Sequence, residues 1–325
     1  MARVLITTVP FADQNKLPFE LLDSVGAEYI VNPFGRRLQE AELVEMITDF
    51  EILIAGTEQI TENVINNAKK LKFISRVGIG LDNVDLLAAK RRNIQVSYTP
   101  DAPAPAVAEF TIALILSLLR SVHISNSQMH KGEWQRHFGR RIPEITIGII
   151  GAGRIGGRVL RRIQSFGSPR ILINDLNPQD NIAPDLKLEW VGKDEIYKNA
   201  DVISLHIPLT VKTKNMIGFK ELMMMKSDAI IVNTSRGGIV NEEDLANVLN
   251  SGHLSGAAID VFGKEPYIGK LSEIERCLLT AHMGSMSLDC RSRMEIEATE
   301  EVIRFITGQK LEQLVPPTEY DIQKK

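Results

Sequence analysis

Thr146-Ile147-Gly148-Ile149-Ile150-Gly151-Ala152-Gly153-Arg154-Ile155-Gly156 is a β-branched apolar run that breaks into three spaced glycines. The run reads as a buried strand, and the apolar spacing from Arg158 to Phe166 reads as the helix after it. G-x-G-x-x-G is weak on its own and gains meaning in that strand-to-helix setting. Gly151 permits a tight turn, Gly153 lets the backbone approach a pyrophosphate, and Gly156 lets helix and strand pack closely. The helix start offers free N–H groups and the positive end of its dipole to phosphate. The next strand, Ile171–Asn174, ends at Asp175, where a carboxylate accepts from ribose hydroxyls and repels a 2′-phosphate. NAD is therefore favoured over NADP. The plainer alternative is a glycine turn followed by an aspartate helix cap.

Working outward, apolar strand-like runs alternate with helical periods nearly throughout. Val4–Thr8, Glu28–Val31, Ile52–Ala55, Phe73–Ser75 and Gln95–Tyr98 read as strands. Pro18–Val25, Glu40–Phe50, Thr61–Ala68 and Leu81–Lys90 between them read as helices. A second series runs through Thr146–Ile150, Ile171–Asn174, Val202–His206, Ala229–Val232, Ser255–Asp260 and Leu278–Thr280, and a last helix spans about Ser287 to Thr307. This rhythm means α/β architecture: two doubly wound, Rossmann-like domains with parallel sheets. Pro100, Pro103 and Pro105 read as a linker between the series. The helix from Ala106 to about Ser121 is apolar almost all round and should be buried.

The chain has 325 residues, enough for two domains. Its composition is 44% hydrophobic and 24% charged, as in ordinary globular proteins, and its net charge is −3. That charge gives no reason to expect nucleic acid or an anionic membrane as partner. Cys277 and Cys290 have no metal-type spacing and read as free thiols, so no metal site is expected. Met1 to Val9 reads as a strand rather than a signal peptide, and Ile112–Leu119 is too short to span a bilayer. The cytoplasm is the default location.

Three further residues carry chemistry. Val232-Asn233-Thr234-Ser235-Arg236-Gly237-Gly238 runs from a strand into a polar turn with one arginine. A guanidinium there can fork onto a carboxylate, or it can serve a structural ion pair. Glu265 and His282 lie on loops after successive strands. Histidine suits proton transfer near neutral pH, and a carboxylate on its second nitrogen would fix the tautomer. A lone histidine in such a place is more often structural; here it keeps company with Arg236 and the fingerprint. His206-Ile207-Pro208-Leu209-Thr210 follows a strand at the rim expected to bind ligand. Asp260 ends another strand and would accept from a carboxamide or simply close a turn.

These segments together resemble the D-isomer-specific 2-hydroxyacid dehydrogenase family over nearly the whole chain. The matching stretches are Ser75–Asp85, Gly151–Gly156, His206–Thr210, Asn233–Gly238, Ala258–Phe262 with Glu265 and Pro266, and His282–Ser285. The resemblance implies that Arg236 anchors the substrate carboxylate, that Glu265 and His282 form the proton-handling pair, and that Val77 and Gly78 offer backbone N–H groups to the same carboxylate. It implies NAD as cofactor, held by Gly151, Gly153, Arg154, Ile155, Gly156, Asp175, His206, Pro208, Thr213, Thr234, Asp260 and Gly284. It also implies a substrate domain of residues 1–99 plus 288–325 with an NAD domain of residues 100–287 inserted in it. A homodimer built on the Ala106–Ser121 helix and Trp134 is expected.

Within the family, Ser75–Asp85 and Gly35–Leu38 look most like phosphoglycerate dehydrogenases and their short relatives. Arg76 sits where a phosphate-binding arginine occurs, although an ion-paired role fits equally; Arg36 and Arg37 are further candidates. Ala55 stands where a second arginine is usual, and Tyr98-Thr99-Pro100-Asp101-Ala102-Pro103 departs from the family loop. The expected reaction is hydride transfer between nicotinamide and a D-2-hydroxy acid or 2-keto acid. The substrate candidates are D-3-phosphoglycerate, or glyoxylate, hydroxypyruvate or a sugar acid. An NAD-sensing, corepressor-like binding protein is the alternative from a different class.

Overall fold

The computed structural model describes residues 1–179 and 182–324. The chain divides into two compact units. One comprises Met1–Pro103 and the chain from Met286 on; the other is Ala104–Ser285, inserted between those segments. Each unit is a parallel sheet with helices, so the fold is α/β with two doubly wound sheets.

In the first unit the strands are β1 (Arg3–Ile6), β2 (Glu28–Val31), β3 (Ile52–Ala55), β4 (Phe73–Arg76) and β5 (Gln95–Tyr98), in the order β2-β1-β3-β4-β5. All four pairings are parallel. The central strand β3 is Ile-Leu-Ile-Ala and wholly buried, as a strand covered on both faces must be. The helix Leu288–Ile306 returns to this unit with Cys290, Met294, Ala298 and Val302 buried at every fourth position. That stripe packs on the sheet, where Phe305 stacks on Phe73 at 4.7 Å and the Ser75 hydroxyl donates to Ala298 O at 2.8 Å.

In the second unit the strands are β6 (Thr146–Ile150), β7 (Arg170–Asn174), β8 (Leu188–Trp190), β9 (Val202–Leu205), β10 (Ile230–Asn233), β11 (Gly256–Ile259) and β12 (Cys277–Leu279). Their order is β12-β11-β10-β9-β6-β7-β8, all parallel, with the reversal of winding between β6 and β9. Successive residues serve opposite faces. Ile147, Ile149, Val202, Ile230 and Val232 join one core with the helices Ala104–Leu119 and Arg154–Gln164. Ile150, Ile203, Leu205 and Ile231 join the other, under Ile196, Leu222 and Leu245.

Several element boundaries differ from the sequence reading. The proline segment is less linker than expected, because the long helix begins at Ala104 and takes Pro105 into its first turn. Leu81–Asp85 is a turn rather than helix; the helix starts at Leu86, capped by the Asp85 side chain on the Ala88 N–H at 2.8 Å. β8 was not expected, since three residues give too little alternation to register. The same holds for the polar helix Val122–His130, which buries no side chain fully. No single helix among the described residues is long and apolar enough to cross a membrane.

Candidate active site

The fingerprint sits where the second sheet reverses its winding, the place where an open α/β sheet leaves a crevice. Gly151 adopts φ +95°, and a Cβ on it would collide with the His206 carbonyl. Gly156 abuts the Gly151 carbonyl in the same way. Gly153 differs: nothing lies within 4 Å of a Cβ placed on it, so its face is open to a ligand. The Gly157 N–H already bonds Gly153 O at 3.0 Å, which leaves the N–H groups of Arg154, Ile155 and Gly156 ahead of the helix ladder. These features fit a pyrophosphate. Asp175 is braced against the same loop, its Oδ2 accepting the Ala152 N–H at 2.7 Å and its Oδ1 the Asn177 N–H at 2.8 Å. A carboxylate has about four lone-pair positions, so it can still accept from hydroxyls.

His206 forms the wall behind Gly151. Its Nε2 pairs with the Ser204 hydroxyl at 2.9 Å, while Nδ1 is buried with no partner. Burial pushes the imidazole down to about 3, so the ring is neutral. Thr213 closes the loop beyond it. Its Oγ1 accepts from the Thr210 N–H and donates to Pro208 O, both at 2.7 Å. Pro208 itself is exposed.

The arginine turn is built by Asn233, which the sequence reading passed over. Its Oδ1 accepts from the Ser235 N–H at 3.1 Å and the Ser235 hydroxyl at 2.7 Å, and its Nδ2 donates to Arg236 O at 2.9 Å. This is an Asx-type closure, and Asn two residues before Ser at a strand end was the signal available. Arg236 is held part-buried, Nη1 donating to Ser235 O at 2.6 Å. Thr234 turns the other way: its hydroxyl is bonded to Thr111 on the long helix at 2.8 Å. Gly237 abuts the Phe262 carbonyl and the Gly263 N–H with no room for a side chain.

Phe262 leads into the loop that carries Glu265, whose Oε1 accepts the Phe262 N–H at 3.1 Å. Both Glu265 oxygens face His282 Nδ1, at 3.1 and 3.0 Å. Nδ1 is thereby fixed as the ring nitrogen that carries a proton to the carboxylate, which makes Nε2 the accepting nitrogen of the neutral ring. His282 sits at φ +50°, a conformation that needs local enforcement. Asp260 supplies it. That side chain is 1% exposed, and its carboxylate accepts from the Thr280 hydroxyl at 2.6 Å and the N–H groups of Met283 and Gly284 at 2.9 and 3.0 Å. Its main-chain oxygen accepts the His282 N–H at 2.8 Å. Asp260 and Gly284 therefore act together in shaping the histidine loop, the turn-closing role that the sequence leaves open for Asp260 beside a carboxamide contact.

In the first unit, Arg76 ends β4 and is 6% exposed. Its guanidinium is bonded to Val77 O and to Asn83 Oδ1, and it lies directly under Gly78. The Val77 N–H is committed to Ala55 O at 2.9 Å and the Gly78 N–H to the Thr99 hydroxyl at 2.7 Å. In this conformation the loop keeps those two donors for itself.

Residues 112–284 match the family model described as D-isomer specific 2-hydroxyacid dehydrogenase, NAD binding domain. The D-3-phosphoglycerate dehydrogenase of Methanocaldococcus jannaschii is 34% identical over 321 residues, 97% of this chain and 59% of that protein. The chain thus spans little more than half the length of that relative. The glyoxylate reductase of Thermococcus gammatolerans is 36% identical over 302 residues, 90% of this chain and 89% of that one. Among solved structures, the TT0316 protein of Thermus thermophilus superposes with a TM-score of 0.87 at 33% identity, covering 97% of this chain and all of that one. The fingerprint, the Asn233-closed arginine turn and the Glu265–His282 pair are thus set in a chain that belongs to the D-isomer-specific 2-hydroxyacid dehydrogenase family.

Proposed function

We propose that the chain interconverts a D-2-hydroxy acid and its 2-keto acid with NAD, using Arg236 as the carboxylate anchor and His282 with Glu265 as the proton-handling pair. The observation that carries this reading is the Glu265–His282 contact, at 3.0 Å, on a loop seated against the arginine turn. The ring nitrogen Nε2 of His282 gives a proton to the oxygen at C2 in reduction and takes it back in oxidation. Arg236 binds the substrate carboxylate through its fork, as a point charge could not. The Gly153–Gly156 segment and Asp175 would hold NAD, which when bound supplies or accepts the hydride. The second unit then serves as the NAD domain and the first as the substrate domain.

We infer a homodimer as well. In the second unit Trp134 is 78% exposed and Phe138 fully so, close in sequence to Met129 and Val122, each at least half exposed. So much exposed apolar surface around one helix and its following segment suits a second copy of the chain.

The deciding experiment is turnover. Purified protein with NADH and a panel of 2-keto acids, glyoxylate and hydroxypyruvate included, should lose absorbance at the nicotinamide band. Tight NADH binding without oxidation by any keto acid would instead mark a sensor.

A further inference from the structure

We propose that Glu58 is a specificity-determining residue that restricts this chain to small 2-keto acids without a phosphate or second carboxylate on the far carbon. The inference rests on the dehydrogenase reading above and deepens it to a substrate class.

The residues concerned lie at the carboxyl ends of β1, β3 and β4, the edge where an open α/β sheet receives ligands. β3 ends in Ala55, which brings no charge. Three residues on, Glu58 turns back under the edge and is 2% exposed. Its carboxylate accepts the Gly56 N–H at 3.0 and 3.1 Å on its two oxygens and shares the Thr7 hydroxyl with Ile54 O, which lies 3.1 Å from that hydroxyl. Asn83 locks the loop, its Nδ2 donating to Gly56 O at 3.2 Å and Glu58 O at 2.7 Å. The other face of Asn83 receives Arg76 Nε at 3.4 Å.

One hydrogen-bonded network therefore holds a buried carboxylate and a buried guanidinium whose formal charges cancel. Arg291, whose guanidinium donates to the Thr8 hydroxyl past the end of β1, is paired with Glu295 at 2.6 Å. Arg36, beyond the end of β2, is forked onto Glu42 with bonds of 2.6 and 2.9 Å. A phosphate monoester carries about −1.5 to −2 charges near neutral pH and needs surplus positive charge to leave water. These groups supply none, and Glu58 adds a repulsion that little water screens. A hydrogen, methyl or hydroxymethyl group on the keto acid meets no such penalty.

The test compares kcat/KM for NADH-dependent reduction of glyoxylate, hydroxypyruvate and 3-phosphohydroxypyruvate by the full chain. Wild type should prefer the two unphosphorylated acids. In Glu58→Gln the ratio of phosphorylated to unphosphorylated hydroxypyruvate should rise about tenfold, the change expected when one repulsive charge worth about 1.4 kcal/mol is neutralised. Glu58→Thr, which removes the charge and keeps an oxygen for the Gly56 N–H, should raise the same ratio and serves if Glu58→Gln does not fold. A wild-type preference for the phosphorylated acid, or ratios unmoved in the folded variants, would overturn the assignment of Glu58 while leaving the dehydrogenase reading intact. No reduction of any of the acids would instead remove the reading on which it rests.

Discussion

Gly237 lies against Phe262 so closely that a methyl group on Gly237 would overlap the Phe262 carbonyl. This contact joins two loops that the sequence places 25 residues apart. One carries Arg236; the other carries Glu265, whose Oε1 accepts the Phe262 N–H at 3.1 Å. Arg236 and the Glu265–His282 pair are thus set in register by backbone against backbone. Gly237→Ala must push these loops apart. Overpacking of this kind costs about 1–3 kcal/mol. Denaturant unfolding should show that loss, and keto-acid turnover should fall well beyond what the lower stability explains. Wild-type kinetics in the alanine variant would show that the register does not matter.

The Glu265–His282 pair gives the second prediction. His282→Ala should lower kcat by about 10²- to 10⁴-fold, the usual worth of a placed acid–base group. NADH affinity, read by fluorescence titration, should stay near normal. Glu265→Gln should cost less, because the ring keeps a hydrogen-bond partner at Nδ1 but loses the opposing charge. Equal kcat in wild type and His282→Ala would sink the proton-transfer role.

Asp260 separates two roles that the sequence could not. A residue that only met the cofactor would, when changed to asparagine, weaken NADH binding and leave stability alone. The structure shows a buried carboxylate satisfying Thr280, Met283 and Gly284 around a histidine at φ +50°. An amide must aim its NH₂ at a donor, which leaves a buried group unpaired at a cost of about 1–3 kcal/mol. Asp260→Asn should therefore lower both stability and kcat. Loss of NADH affinity alone, with an unchanged unfolding midpoint, would return Asp260 to the cofactor.

Much of this was legible in the chain. The βαβ rhythm, the fingerprint and Arg236, Glu265 and His282 each left a local trace: an apolar period, a glycine spacing, a polar residue just past a strand. What was not legible is where a side chain spends its hydrogen bonds. Thr234 and Arg76 are the right residue types at the right strand ends, yet Thr234 bonds Thr111, 123 positions away, and Arg76 bonds its own loop. Glu58 carries no local mark in the sequence, and its contact with Thr7 comes from the pairing of β1 with β3. Partners as distant as Thr111 and Thr7 are set by how the elements pack, which no single segment encodes.

Asp175 predicts the cofactor. Its carboxylate is held to the fingerprint loop by the Ala152 N–H at 2.7 Å, so it cannot swing aside for a 2′-phosphate. NADH should support turnover far better than NADPH, and Asp175→Ala should narrow the gap by weakening NADH use. Comparable kcat/KM for the two cofactors in wild type would refute the role.

His206 predicts acid sensitivity, and its sign follows from burial. The imidazole is pushed from the ordinary 6.5 down to about 3, with Nδ1 sealed from solvent and unpartnered. Between those pH values the unfolded chain holds a proton that the folded one refuses, so stability rises with pH across the window. The contribution is complete above about 6.5 and is lost as pH falls toward 3. Carboxylates such as Glu42, lowered to about 2 by its hydrogen bonds with Arg36, titrate alike in wild type and variant, so the difference isolates His206. Urea midpoints measured from pH 7 to 4 should fall more steeply for wild type than for His206→Gln. Parallel curves would mean that His206 gains its proton without unfolding the wall behind Gly151.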